Sequence, residues 1–140
     1  MPFDRILVAI DGSQGAQRAL TKAIELAQLT GATLTALAVE GPLPAYAATI
    51  GEVDELKQQK DTFFTKVAES AQEQAAAAGV TISVDLRPGH AAELITSYAR
   101  DHGADLVVVG HKGHFLGDYL LGSTADRVAH HAPCPVMIVK

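Results

Sequence analysis

Val8-Ala9-Ile10-Asp11-Gly12-Ser13 closes an apolar run that begins at Ile6, and it ends on a carboxylate, a glycine and a hydroxyl. An apolar run without alternation suits a strand covered on both faces. The segment after it has helical period: Ala16, Ala19/Leu20, Ala23/Ile24 and Ala27 form one stripe, stopped at Gly31. Strand, polar turn and helix in that order predict a parallel crossover rather than a hairpin.

Outward from this unit the pattern repeats. Residues 34–39, 106–109 and 136–139 are almost continuously apolar, whereas residues 80–86 alternate strictly between apolar and polar. Alternation means one wet face, which places that fourth run at a sheet edge. Between the runs lie three more helical stripes. Val53, Leu56, Phe63/Phe64, Val67, Ala71 and Ala75 end at Gly79, and Ala91, Leu94/Ile95 and Tyr98 end near Gly103. Ala125, Val128/Ala129 and Ala132 are stopped by Pro133. The order is β-α-β-α-β-α-β-α-β, which predicts an α/β fold with a parallel sheet and helices on both faces.

The chain has 140 residues, the size of one domain, and nothing in it reads as a linker or internal repeat. Hydrophobic residues make up 48%, charged residues 19% and aromatics 5%, which excludes disorder and predicts a core of Ala, Val, Leu and Ile. The formal net charge of −5 argues against nucleic acid as a partner. A single bound nucleotide is compatible with it, because backbone N–H groups can meet the phosphates. The N-terminus shows no signal-peptide pattern, and no apolar stretch approaches the roughly 18 residues of a membrane span. With Cys134 as the one cysteine, a reduced cytoplasmic protein is expected.

Two segments carry the chemistry. The first is the Asp11-Gly12-Ser13 turn; the second runs from Val107-Val108-Val109-Gly110-His111-Lys112-Gly113 to Gly122-Ser123-Thr124. Gly110 and Gly113 clear space for an anion, or serve as simple turn glycines. Gly122, Ser123 and Thr124 open a helix, where free N–H groups, the dipole and two hydroxyls favour phosphate. Ser123 with Asp126 equally reads as a capping box that needs no ligand. Neither a Walker A pattern nor Gly-x-Gly-x-x-Gly occurs. Loops 40–50 and 111–121 are longer than a compact domain needs, which marks both for function.

Other residues read as structural. The six histidines lack metal-site spacing, and His130 and His131 point to different faces of a helix end. His111, Lys112 and His114 either touch a polyphosphate tail or keep their loop soluble. Cys134 has no activating neighbour in sequence, and no Gly-x-Ser-x-Gly elbow supports a hydrolytic triad.

Val8-Ala9-Ile10-Asp11-Gly12-Ser13, Ala104-Asp105-Leu106-Val107-Val108-Val109-Gly110, and Leu120-Leu121-Gly122-Ser123 through His131-Ala132-Pro133-Cys134-Pro135-Val136 resemble the universal stress protein family. The likeness runs from about residue 4 to the C-terminus. It implies a Rossmann-like, adenine nucleotide alpha hydrolase-like sheet of order 3-2-1-4-5. That order brings the ends of strands 1 and 4 together at a topological switch point, the ligand crevice of open α/β sheets.

By this resemblance Asp11 would bond the adenine or ribose of ATP, with Ala9 and Val39 flanking the base. Gly110 would approach the ribose, and Gly113, Gly122, Ser123 and Thr124 would hold the phosphates, joined by Lys112 if the basic cluster touches the polyphosphate tail and by Mg2+ if the nucleotide carries it. The ATP-binding members have nine residues between the second and third glycines, whereas eight separate Gly113 from Gly122 here. AMP, a cyclic nucleotide, or no nucleotide at all therefore stand as alternatives. Hydrolysis is expected to be slow or absent, at most that of a weak ATPase. The last strand, Val136–Val139, would be an apolar edge, best covered by its copy in a homodimer.

Overall fold

The computed structural model describes residues 3–40, 50–111 and 122–140, with side chains described outside residues 50–54. Its elements alternate as β1 (Arg5–Ile10), α1 (Gln14–Thr30), β2 (Thr33–Glu40), α2 (Ile50–Ala77), β3 (Ile82–Pro88), α3 (Ala91–Asp101), β4 (Leu106–Gly110), α4 (Ser123–His131) and β5 (Val136–Val139). The strands form one parallel sheet of order β3-β2-β1-β4-β5. Both the alternation and the strand order agree with the expectations from sequence.

Period-2 geometry in β1 divides the core. Ile6, Val8 and Ile10 point to one face, where Ala19, Leu20, Ala23 and Ile24 of α1 and Phe64, Ala71 and Ala75 of α2 cover them. Leu7 and Ala9 point to the other, against Ala92, Ile95 and Ala99 of α3 and Ala125 and Val128 of α4. The alanine stripes let the helices lie close to the sheet, which is how a core nearly free of aromatics fills its volume.

Side-chain bonds fix the register at the sheet's lower end. The Asp105 carboxylate accepts from the amides of Asp4 (2.7 Å) and Arg5 (3.1 Å), and the Asp105 amide donates to the Arg5 carbonyl (2.9 Å). The Arg5 guanidinium in turn reaches the His102 carbonyl at 3.2 Å. These bonds tie β1 to β4, the two strands that meet at the switch point.

Two readings need correction. The alternating strand begins at Ile82 rather than at residue 80, and it continues to Pro88. Its alternation also does not carry through: Leu86 is 40% exposed, because a strand paired on one side only leaves its far end uncovered. The capping box fails as well. Gly122 is the cap of α4, so Ser123 already lies inside the helix and no side chain bonds the first turn.

Candidate functional site

α1 leaves β1 toward one face of the sheet and α4 leaves β4 toward the other, while β1 and β4 are neighbours. Their diverging exits leave a cleft at the carboxyl ends of the strands. Ala9 and Asp11 of the β1 exit, Val39 of β2, and Gly110 of β4 line it. Gly122, Ser123 and Thr124 line it from the start of α4. Seven of the residues singled out from sequence thus share one cavity. Lys112 and Gly113 lie outside the described residues, as does most of each long loop.

The Asp11 turn is built from its own side chains. Asp11 Oδ1 accepts from the Ser13 amide at 2.9 Å, and Ser13 Oγ caps α1 by accepting from the Ala16 amide at 3.1 Å. Gly12 between them has φ of 84°, a region L-residues seldom adopt, and a β-carbon there would run into the Phe63 ring. The turn therefore uses one carboxylate oxygen of Asp11, and the exposed side chain keeps the other for a partner.

Gly110 has a reason of its own. A β-carbon on it would lie 2.8 Å from the carbonyl carbon of Gly15 and 2.9 Å from its oxygen. The missing side chain thus admits the first turn of α1, backbone against backbone. This packing role stands beside any approach of a ligand to the same residue.

The other wall is the α4 N-terminus. The buried Gly122 donates its amide to the His111 carbonyl at 2.8 Å and accepts from the Asp126 amide at 2.9 Å. With no side-chain cap, the amides of Ser123, Thr124 and Ala125 have no partner within their own helix. They and the helix dipole make this wall attractive to an anion. Ala9, Val39 and Ile95 supply apolar surface, so the cleft offers a flat apolar pocket beside a polar anion end.

Sequence reading missed Gly15 and Ala16 of α1, Ala91 and Ile95 of α3, and Ala125. Ala91, Ile95 and Ala125 belong to stripes read as core. The available signal was position: each sits in a helical turn close to a strand's carboxyl end, where the switch-point rule places ligands. Among the described residues no three His, Cys, Asp or Glu side chains come together in a way that could hold a metal ion.

An open, doubly wound parallel sheet with a polar-ended cleft at its switch point belongs to the class of α/β proteins that place their ligand crevice at the carboxyl ends of the strands. Residues 2–140 match the Universal stress protein family, and the chain belongs to it. It is 32% identical over 147 residues to universal stress protein YxiE of Bacillus subtilis, covering 99% of both chains. It is 35% identical over 141 residues to a universal stress protein of Thermus aquaticus, again with 99% of each covered. The structure of universal stress protein UspA from Lactobacillus plantarum superposes with a TM-score of 0.88 at 29% identity, over 99% of this chain and 98% of that one. The fold is also that of a universal stress protein in complex with cAMP (TM-score 0.77, 24% identity, 100% of this chain and 99% of that one). An Arabidopsis thaliana family protein with AMP bound shares it too (TM-score 0.74, 19% identity, 98% and 91%).

Proposed function

We propose that this chain is a single-domain, cytoplasmic, homodimeric regulatory protein that binds an adenine nucleotide in the switch-point cleft and hydrolyses it slowly or not at all. The observation that carries this reading is the pairing of two opposed features in one cleft. Asp11 stands at the end of β1 with a free carboxylate oxygen, and across from it the uncapped first turn of α4 presents its amides. A carboxylate repels phosphate but accepts from an adenine amino group or a ribose hydroxyl. The amides do the reverse, so the two ends orient a nucleotide in one direction.

ATP is the first ligand proposed, with Mg2+ held by its phosphates and water rather than by a cage of protein carboxylates. A nucleotide with fewer phosphates is the second reading, favoured by the eight residues between Gly113 and Gly122. That the same fold carries cAMP and AMP in two solved structures supports adenine nucleotides as the ligand class.

Calorimetric titration of the nucleotide-free protein with ATP and magnesium, AMP, cAMP and GTP tests the proposal. Saturable binding of one adenine nucleotide per chain, with GTP silent, is the expected result. No heat with any of them, together with an unchanged melting temperature, would leave a dimeric interaction module as the better reading.

A further inference from the structure

Between α3 and α4 runs an open groove of about 410 Å³ that shares no lining residue with the nucleotide cleft. Arg100 of α3 and Arg127 and His131 of α4 converge on it, although the chain as a whole carries a net charge of −5. Arg100 and His131 lie in last turns, where a cation complements the helix dipole and needs no other reason. Arg127 has no such reason, since it stands in the middle of α4. Its neighbour Asp126 is engaged by His130 at 3.4 Å, and Glu93, on the same groove, lies beyond 4 Å of both guanidiniums.

The floor of the groove holds an independent observation. Thr96 is the one buried polar residue among those described, at 8% exposure. Four other helical hydroxyls bond back to the preceding turn: Thr21 to Gln17 at 3.0 Å, Thr30 to Leu26 at 2.7 Å, Thr65 to Asp61 at 2.7 Å and Ser97 to Glu93 at 2.8 Å, whereas Thr62 and Ser70, which do not, are exposed to water. Thr96 makes no such bond, and its hydroxyl has no partner among the described residues. Because no fully buried side-chain oxygen is left unpaired, that hydroxyl must meet the groove.

We infer that this groove is a second ligand site, built for a phosphate monoester. Two guanidiniums and a hydroxyl lining one groove offer more donors than the two oxygens of a carboxylate can accept, whereas a phosphate monoester presents three oxygens. Glu93 at the α3 N-terminal end of the groove confines the anion to the arginine end. The site is independent of the nucleotide cleft, and its ligand is a free phosphomonoester or a phosphorylated side chain of another protein.

Amide chemical shifts of the isotope-labelled full chain test this in a titration with inorganic phosphate at constant ionic strength, with chloride as control. Saturable shifts are expected at Thr96, Ser97, Arg100 and Arg127. They should persist in Asp11→Ala, weaken about tenfold or more in Arg127→Gln, and weaken less in Arg127→Lys, which keeps charge but loses the fork. Shifts that do not saturate, that chloride reproduces, or that survive the double variant Arg100→Gln/Arg127→Gln would overturn the site. So would shifts confined to Gly122–Ala125. A phosphoserine peptide that saturates the same amides at lower concentration than inorganic phosphate and free phosphoserine would identify a phosphoprotein as the source; equal potency would identify a small monoester.

Discussion

The amide of Gly122 donates to the carbonyl of His111 at 2.8 Å, so the chain that leaves the end of β4 returns to its own exit before α4 begins. With both ends held, a residue missing from between them has to be made up inside the loop. The ends themselves, and the amides of the α4 first turn, keep their places. Inserting one residue between Gly113 and Gly122 should therefore strengthen ATP binding severalfold while leaving AMP affinity nearly unchanged. Paired calorimetric titrations check this. An insertion that moves both nucleotides alike would mean that loop length does not govern the phosphate end.

Asp11 has two duties that substitution can separate. Its Oδ1 holds the Ser13 amide at 2.9 Å, and Ser13 caps α1. Asp11→Ala removes the turn bond and should cost about 1 kcal/mol of stability. Asp11→Asn keeps an acceptor for Ser13 but loses the charge, so its melting temperature should stay close to wild type. Both variants should weaken adenine nucleotide binding, since an amide cannot accept two bonds through a pair of equivalent oxygens. If Asp11→Asn binds normally, Asp11 serves only the turn.

Gly110 and Gly122 should respond in opposite ways. Gly110→Ala forces a β-carbon to within 2.8 Å of the Gly15 backbone, which cannot swing aside as a side chain could. The expected loss is about 1–3 kcal/mol with or without ligand, visible as a lower melting temperature of the nucleotide-free protein. Gly122 has φ of −62° and ψ of 151°, open to any L-residue. Gly122→Val therefore meets no backbone strain and should lose nucleotide binding by crowding the amides of Ser123 and Thr124. The melting temperature of the nucleotide-free variant separates that loss from any cost of burying the side chain. Undiminished ATP binding by this variant would remove the α4 wall from the site.

The cleft was legible where sequence carries chemistry at a strand end. Asp11, Gly110 and the Gly122-Ser123-Thr124 helix start announce themselves by type and position, and the strand order joins them. Gly15 was not legible, because its partner Gly110 is some ninety positions away and only packing reveals that two glycines touch. Ser123 misled for a related reason. A hydroxyl three residues before a carboxylate looks like a cap, but Gly122 takes that place because its amide is already held by His111. Thr96 was invisible too, since an unmade bond leaves no trace in a sequence.

Burial, and after it the negative charge of Asp105, pushes the Cys134 thiol above its ordinary range. The thiolate is the reactive form, so at pH 7–8 the half-buried side chain should remain a neutral thiol. Alkylation by iodoacetamide at pH 8 should be several times slower than for free cysteine, and unfolding in denaturant should restore the full rate. Rapid labelling of the native protein would place Cys134 among reactive thiols rather than packing residues.

β5 pairs with β4 on one side only, and Val136, Met137 and Ile138 are half-exposed on the strand's two faces. An apolar edge of this kind invites a second strand, and a two-fold axis beside it would pair β5 antiparallel with its own copy. Met137→Lys would then bring two like charges close together across the axis and should shift the dimer to monomer in sedimentation velocity. Leu86→Lys on β3, the opposite edge, is the control, because Leu86 is also an apolar edge side chain open to solvent, at 40% exposure. It should leave the mass unchanged. If Leu86→Lys dissociates the dimer and Met137→Lys does not, the subunits meet through β3, and the Asp85–Arg87 ion pair on that strand would lie in their interface.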